Sequence, residues 1–120
     1  MGSDFQAELP PDLAQLALLR RLLAAWLARV EVDAIASDAV ILATHEAAAN
    51  AVEHARAEVV VTGFRDEDRV TVLVRNSGGW KESDGSEFRG RGLVLIRGLM
   101  SKVDIDSGPS GSLIRMQLLL

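Results

Sequence analysis

Residues 44–55 read Thr44-His45-Glu46-Ala47-Ala48-Ala49-Asn50-Ala51-Val52-Glu53-His54-Ala55, a run of alanines interrupted by polar side chains at regular intervals. Glu46, Asn50 and His54 follow one another at steps of four residues. At about 3.6 residues per turn, each such step moves the side chain only about 40° around a helix. The spacing therefore predicts a helix that carries Glu46 and Asn50 on one side, about 6 Å apart along its axis.

The other faces of this helix are also set by the spacing. A stripe for burial holds Val40, Thr44, Ala47, Ala48, Ala51 and Ala55, and His45 falls on the side toward water. Glu46 and Asn50 lie between these faces, beside the small residues Ala39 and Ala43. Small neighbours leave room for a ligand next to a carboxylate and a carboxamide, or they let another helix or sheet come close. The stretch alone does not decide between these alternatives.

Composition limits the classes of function. The chain has 120 residues, of which 48% are hydrophobic and 25% charged, as in a single soluble globular domain. A net charge of −4 argues against binding duplex nucleic acid. The absence of cysteine excludes disulfides and thiolate zinc sites. Acidic residues near the N-terminus do not fit a signal peptide, and Arg20-Arg21 interrupts the leucine-rich segment, so we expect a cytoplasmic protein without a membrane segment.

Hydrophobic periodicity predicts the order β-α-α-β-β-loop-α-β-β. The first helix is expected at 13–30, the second from Asp33 or Ser37 to about 55–57, and the third at 93–100. Residues 81–89 are expected to form a mobile loop. The strands are expected at 5–9, 58–64, 69–75, 103–105 and 113–119. Strands 58–64 and 69–75 should form a hairpin, and strand 5–9 should lie at a sheet edge. The fold class is then a single-domain, two-layer α/β sandwich over residues 1–120, with a mixed, mostly antiparallel sheet and helices on one face.

Three segments could together hold a nucleotide. They are the helix with Glu46 and Asn50, a glycine-containing turn after a strand, and Gly90-Arg91-Gly92 before a helix. Free backbone N–H groups from Gly90 to Leu93 would meet phosphates at the positive end of that helix. The amide oxygen of Asn50 suits Mg²⁺, and Glu46 one turn away is placed to accept a proton from a hydroxyl or a water.

This combination resembles the GHKL (Bergerat) ATPase fold, and within it the anti-sigma-factor serine kinases of the RsbW and SpoIIAB type. The resemblance covers essentially the whole chain. Its motifs are Glu8-Leu9-Pro10, Glu46-x-x-x-Asn50-Ala51-x-x-His54, Gly78-Gly79, Gly90-Arg91-Gly92-Leu93 and Gly111-Ser112.

The resemblance implies a function and a set of site residues. Glu46 would be the general base for phosphate transfer from ATP to a protein serine, and Asn50 the Mg²⁺ ligand. Arg20 would touch partners, although a solvated arginine on an exposed helix face explains it equally well. The implied partners are a sigma factor, a STAS-type anti-sigma-factor antagonist and a second copy of the chain. The implied nucleotide-binding residues are Asn50, Asn76, Gly78, Gly90, Arg91, Gly92, Leu93 and Ser112.

Two positions depart from the family pattern. The first glycine box of the family runs Asp-x-Gly-x-Gly, whereas this chain has Asn76-Ser77-Gly78-Gly79-Trp80. Asn76 offers an amide oxygen to an adenine amino group but no charge, so base selectivity is an open question. Trp80 in place of the last glycine suggests a residue that packs in the core or against the loop.

Two other functions fit the same fold. The chain could be a non-catalytic module that binds ATP or a partner, including one excised from a larger regulatory phosphatase. A fragment of a sensor histidine kinase fits less well, because we expect no dimerisation and phosphoacceptor helix pair before the domain.

Overall fold

The structure is a computed structural model that describes residues 4–55, 57–77 and 86–120, and their side chains except those of residues 54, 55 and 86–91. The strands are β1 Phe5–Leu9, β2 Val59–Arg65, β3 Arg69–Asn76, β4 Lys102–Gly108 and β5 Gly111–Leu119. The helices are α1 Leu16–Arg29, α2 Ala34–Asn50 and α3 Ser86–Leu99. A short 3-10 turn, Leu13–Gln15, precedes α1, and a π-helical turn, Ala51–Ala55, continues α2.

The strands form one five-stranded sheet in the order β1-β2-β3-β5-β4. Every pairing in the described part of the sheet is antiparallel, so the expected mixed sheet is antiparallel throughout. β1 lies at an edge and β2 and β3 form a hairpin, as their sequences predict. These features confirm the predicted α/β fold class.

Alternation along the central strands determines which face is covered. One face carries fully buried side chains, which are Val59, Val61, Val70, Val72, Ile114 and Met116. Their partners on the helical side are leucines of α1 and small residues of α2, since Leu19, Leu23, Ala43, Ala47 and Ala48 are also fully buried. The core therefore lies between the sheet and the helical layer, and the alanines of α2 allow that helix to come close.

Trp26 of α1 anchors the helical layer to β2. Its indole is 1% exposed, and its ring centroid lies 5.5 Å from that of Phe5. The indole also lies on Gly63 of β2, where a Cβ atom would be only 2.9 Å from two of its ring carbons. A glycine is needed there because any side chain would displace the tryptophan.

Candidate functional site

Helix α2 positions the two polar side chains that the sequence singled out. Its first turn is fixed by Asp33, whose carboxylate accepts a hydrogen bond from the Ala36 N–H at 2.8 Å. The predicted stripe is buried from Val40 through Thr44 to Ala51, and the side chain of Ala55 lies outside the described residues. With that stripe on the sheet, Glu46 is half-buried and Asn50 is fully buried.

The helical wheel predicts that Asn50 lies at the boundary between the buried and the exposed faces of α2, but the structure buries it more deeply. Its exposed fraction is 0%, and neither Oδ1 nor Nδ2 has a hydrogen-bond partner among the residues that the structure describes. Gly92 of α3 covers it, because a Cβ atom at that glycine would lie 2.9 Å from Nδ2. An unpaired buried amide costs about 1–3 kcal/mol, so it needs a role other than stability.

The second glycine motif does not stand at a helix N-terminus, and this prediction is wrong. Helix α3 begins at Ser86, so Gly90 and Gly92 lie inside it, and residues 86–89 are helical rather than part of a loop. The N–H groups from Gly90 to Leu93 therefore fall within the i to i−4 hydrogen-bond ladder. Glu87 and Arg89 are good helix formers, and an internal glycine costs only about 1 kcal/mol, which tertiary packing can offset.

Other predicted members of the nucleotide site fall partly outside the description. Leu93 is half-buried and Gly92 is buried. Gly78 and the side chain of Arg91 lie outside the described residues. Outside the site, the same holds for Trp80, for residues 81–85 of the predicted loop and for the side chain of His54.

A groove between the start of α1 and the middle of α2 brings Glu46 and Arg20 together. Its volume is about 460 Å³, and its lining also includes His45 and Glu53. Leu13, Ala14, Leu16, Ala17 and Ala49 supply the apolar part of the lining. The carboxylate that the sequence proposed as a base thus opens toward a surface with room for a segment of another molecule.

His45 was expected to face water, but it is half-buried and contacts Arg20. The guanidinium Nη1 lies 3.0 Å from the imidazole Nδ1. Arginine can only donate, so Nδ1 accepts and the ring proton is on Nε2. The contact holds the arginine head beside the groove. No local sequence pattern predicts this contact, because the two residues are 25 positions apart.

Asn76 and Ser112 meet at the ends of β3 and β5, where the strand register pairs them directly. Each is 4% exposed, and the Asn76 Nδ2 donates to the Ser112 Oγ at 2.7 Å. The Asn76 Oδ1 has no partner in the described part of the chain. Both residues line a cavity of about 430 Å³ at this end of the sheet.

Gly111 makes this pairing possible. Its φ is +149°, a conformation that favours glycine, and a Cβ atom there would lie 2.6 Å from the Asn76 carbonyl oxygen. The glycine that precedes Ser112 in the sequence motif therefore has a structural reason, which is to let β5 approach the end of β3.

Asp104 and Asp106 alternate along β4, and both are exposed. Among the residues described, no group of three or more His, Cys, Asp or Glu side chains could hold a metal ion. Nor does any helix in the described ranges have the length and apolar character to cross a membrane.

Comparison with solved structures finds proteins that have a similar fold. Part of the structure of the RsbU and RsbW domains of Rv1364c from Mycobacterium tuberculosis has this architecture, with a TM-score of 0.77 at 22% identity over 96% of this chain. This chain spans 32% of that structure's length. The histidine kinase AdeS of Acinetobacter baumannii matches with a TM-score of 0.59 at 9% identity, over 96% of this chain and 67% of the other.

No curated protein matches this sequence. The profile of the histidine kinase-like ATPase domain, in contrast, matches residues 9–118, which is nearly the whole chain. Together with the antiparallel five-stranded sheet and its helical layer, this match shows that the chain belongs to the histidine kinase-like ATPase domain family.

Proposed function

We propose that this domain is a cytoplasmic anti-sigma factor and Mg-ATP-dependent serine kinase. It would sequester a sigma factor, phosphorylate a serine of a STAS-type antagonist and act as a homodimer. The observation that carries the proposal is the arrangement of α2. The buried amide of Asn50 has no hydrogen-bond partner among the described residues, while Glu46, one turn earlier, lies in an open groove beside Arg20. Adjacent turns of one helix can thus serve a nucleotide and a protein substrate.

The amide oxygen of Asn50 fits the chemistry of Mg²⁺. This ion takes one or two protein oxygens and completes its octahedron with phosphate and water oxygens, so a cluster of acids is not required. When bound, the ion would neutralise charge on the phosphates of ATP. The nucleotide site would further include Asn76, Gly78, Gly90, Arg91, Gly92, Leu93 and Ser112.

Access to Asn50 requires α3 to move. Gly92 packs against the Asn50 amide, so phosphates can reach it only when that contact opens. Unwinding the first turns of α3 would release the same contact and free the N–H groups of Gly90 to Leu93. Two glycines in this segment lower the cost of unwinding, because glycine is among the weakest helix formers.

On the substrate side, Glu46 would act as the general base. Its carboxylate accepts the proton of the substrate serine hydroxyl, and the serine oxygen forms a bond to the γ-phosphorus of ATP. The bond between that phosphorus and the bridging oxygen breaks, and ADP leaves with the electron pair. Arg20 at the rim would bind a carboxylate or a carbonyl group of the partner.

A second function is favoured by one observation, which is that α3 covers Asn50. If the contact with Gly92 persists in solution with nucleotide present, the domain is a non-catalytic module that binds partners through the groove. The chain spans about a third of a structure that carries a second named domain, which suits a module excised from a larger regulatory phosphatase.

An assay of phosphate transfer distinguishes the serine kinase from the non-catalytic module. The wild-type protein is incubated with ATP labelled at the γ-phosphate and with candidate STAS proteins, and the labelled serine is mapped. Glu46→Gln should lose transfer, whereas Glu8→Gln, the same change at an exposed position of β1, should not. Coelution with candidate sigma factors tests sequestration in the same preparation. Nucleotide binding without transfer to any candidate would favour the non-catalytic module.

A further inference from the structure

The Asn76–Ser112 pair can be satisfied in two ways. In the structure, the Asn76 Nδ2 donates to the Ser112 Oγ at 2.7 Å, and the buried Oδ1 is left without a partner among the described residues. A serine hydroxyl both donates and accepts, and a carboxamide turned end for end keeps nearly the same shape. In the second arrangement the hydroxyl donates to Oδ1, and the Nδ2 group is free.

The two arrangements present opposite chemistry to a ligand. The first leaves a free acceptor oxygen and the second a free donor N–H, while the bond to Ser112 is kept in both. A carboxylate at the same position has only acceptor oxygens, so it could present only one polarity. The close approach that Gly111 allows holds the two side chains together whichever way the amide is turned.

We infer that Asn76 and Ser112 form a base-reading pair of reversible polarity, so that this domain binds guanine nucleotides about as well as adenine nucleotides. The inference rests on the proposed function, since it requires a nucleotide whose base reaches Asn76. Adenine presents an amino donor at the position where guanine presents a carbonyl acceptor. The free Oδ1 accepts from the first, and after rotation the free Nδ2 donates to the second.

The expected difference between the affinities for ATP and GTP follows from the kind of hydrogen bond that Asn76 makes to the base. Both arrangements give a neutral hydrogen bond, so the affinities for ATP and GTP should lie within about fivefold of each other. Replacing Asn76 with aspartate gives a charged acceptor, whose bond to a donor is about twice as strong. The carboxylate would repel the guanine carbonyl, so Asn76→Asp should separate the two affinities by more than about tenfold.

Calorimetric titration of Mg-ATP and Mg-GTP tests the inference. The proteins are wild type, Asn76→Asp and the control Gln117→Glu. The control makes the same amide-to-carboxylate change on β5, where the Gln117 Nε2 lies 3.3 Å from the Thr71 Oγ1. The wild type should bind both nucleotides within about fivefold, Asn76→Asp should prefer ATP, and the control should behave as wild type.

Each remaining outcome overturns a defined part of the account. A wild-type preference for either nucleotide greater than about fivefold overturns the inference without use of any variant, and leaves the proposed function standing. So does an Asn76→Asp variant that shows no greater preference for ATP than the wild type. Equal changes of the two nucleotide affinities in Asn76→Asp and Gln117→Glu also overturn the inference, because the added negative charge alone would then explain the effect of Asn76→Asp. If neither nucleotide binds to the wild type, the proposed function fails and the inference fails with it.

Discussion

Replacing Asn50 with leucine should stabilise the free protein while it removes Mg-ATP binding. Leucine has the same branching as asparagine but no polar atoms, and both amide atoms of Asn50 are buried without a partner among the described residues. Removing an unsatisfied buried amide returns about 1–3 kcal/mol. The larger methyl groups meet Gly92, and overpacking of this kind costs about 1–3 kcal/mol. Because the added methyl groups also gain hydrophobic burial, we expect a net gain of about 1 kcal/mol.

The assay is thermal unfolding without ligand, followed by titration with Mg-ATP. For a domain of this size, 1 kcal/mol corresponds to a rise in Tm of about 4 °C. Thr44→Val is the matched control, since the Thr44 Oγ1 is also buried without a partner in the described part of α2. It should gain a similar amount of stability and keep Mg-ATP binding. A loss of more than about 1 kcal/mol in Asn50→Leu would contradict this prediction, because removing the amide would then return less free energy than the contact with Gly92 costs.

The remaining predictions concern the proposed base and two glycines. Glu46→Gln should keep Mg-ATP affinity and lower the rate of phosphate transfer by about 10²–10⁴; an unchanged single-turnover rate would remove Glu46 from the mechanism. Gly63→Ala should cost about 1–3 kcal/mol in denaturant unfolding, because its Cβ would lie 2.9 Å from the Trp26 indole. Stability equal to wild type would show that the indole moves freely. Gly111→Ala should cost at least about 1–3 kcal/mol from its backbone conformation alone, whereas Gly108→Ala in the same hairpin has open space and should change little. Equal effects of the two changes would contradict the role given to Gly111.

Most of the fold could be predicted from the sequence because its signals are local. Two β-branched runs joined by the charged residues 65–68 predict the hairpin, and it is present at nearly those bounds. The periodicity of α2 predicts its buried stripe from Val40 to Ala51. The rule that neighbouring strands in the chain tend to pair accounts for β1 with β2, β2 with β3 and β4 with β5, but not for β3 beside β5.

The parts that could not be predicted depend on contacts between distant segments. The start of α3 was placed too late because Gly90 and Gly92 look like helix breakers, and the sequence does not show that Gly92 packs on Asn50. For the same reason Asn50 looked like a boundary residue, although α3 buries it completely. The contact of His45 with Arg20 joins two helices, and no local pattern marks it.

Titration of the protein with ATP, in the presence and absence of Mg²⁺, decides whether Asn50 holds the ion. We expect Mg²⁺ to strengthen ATP binding in the wild type, and Asn50→Ala to remove this strengthening because it deletes the oxygen proposed to hold the ion. ATP affinity that is equal with and without Mg²⁺ in the wild type would contradict the assignment of Asn50.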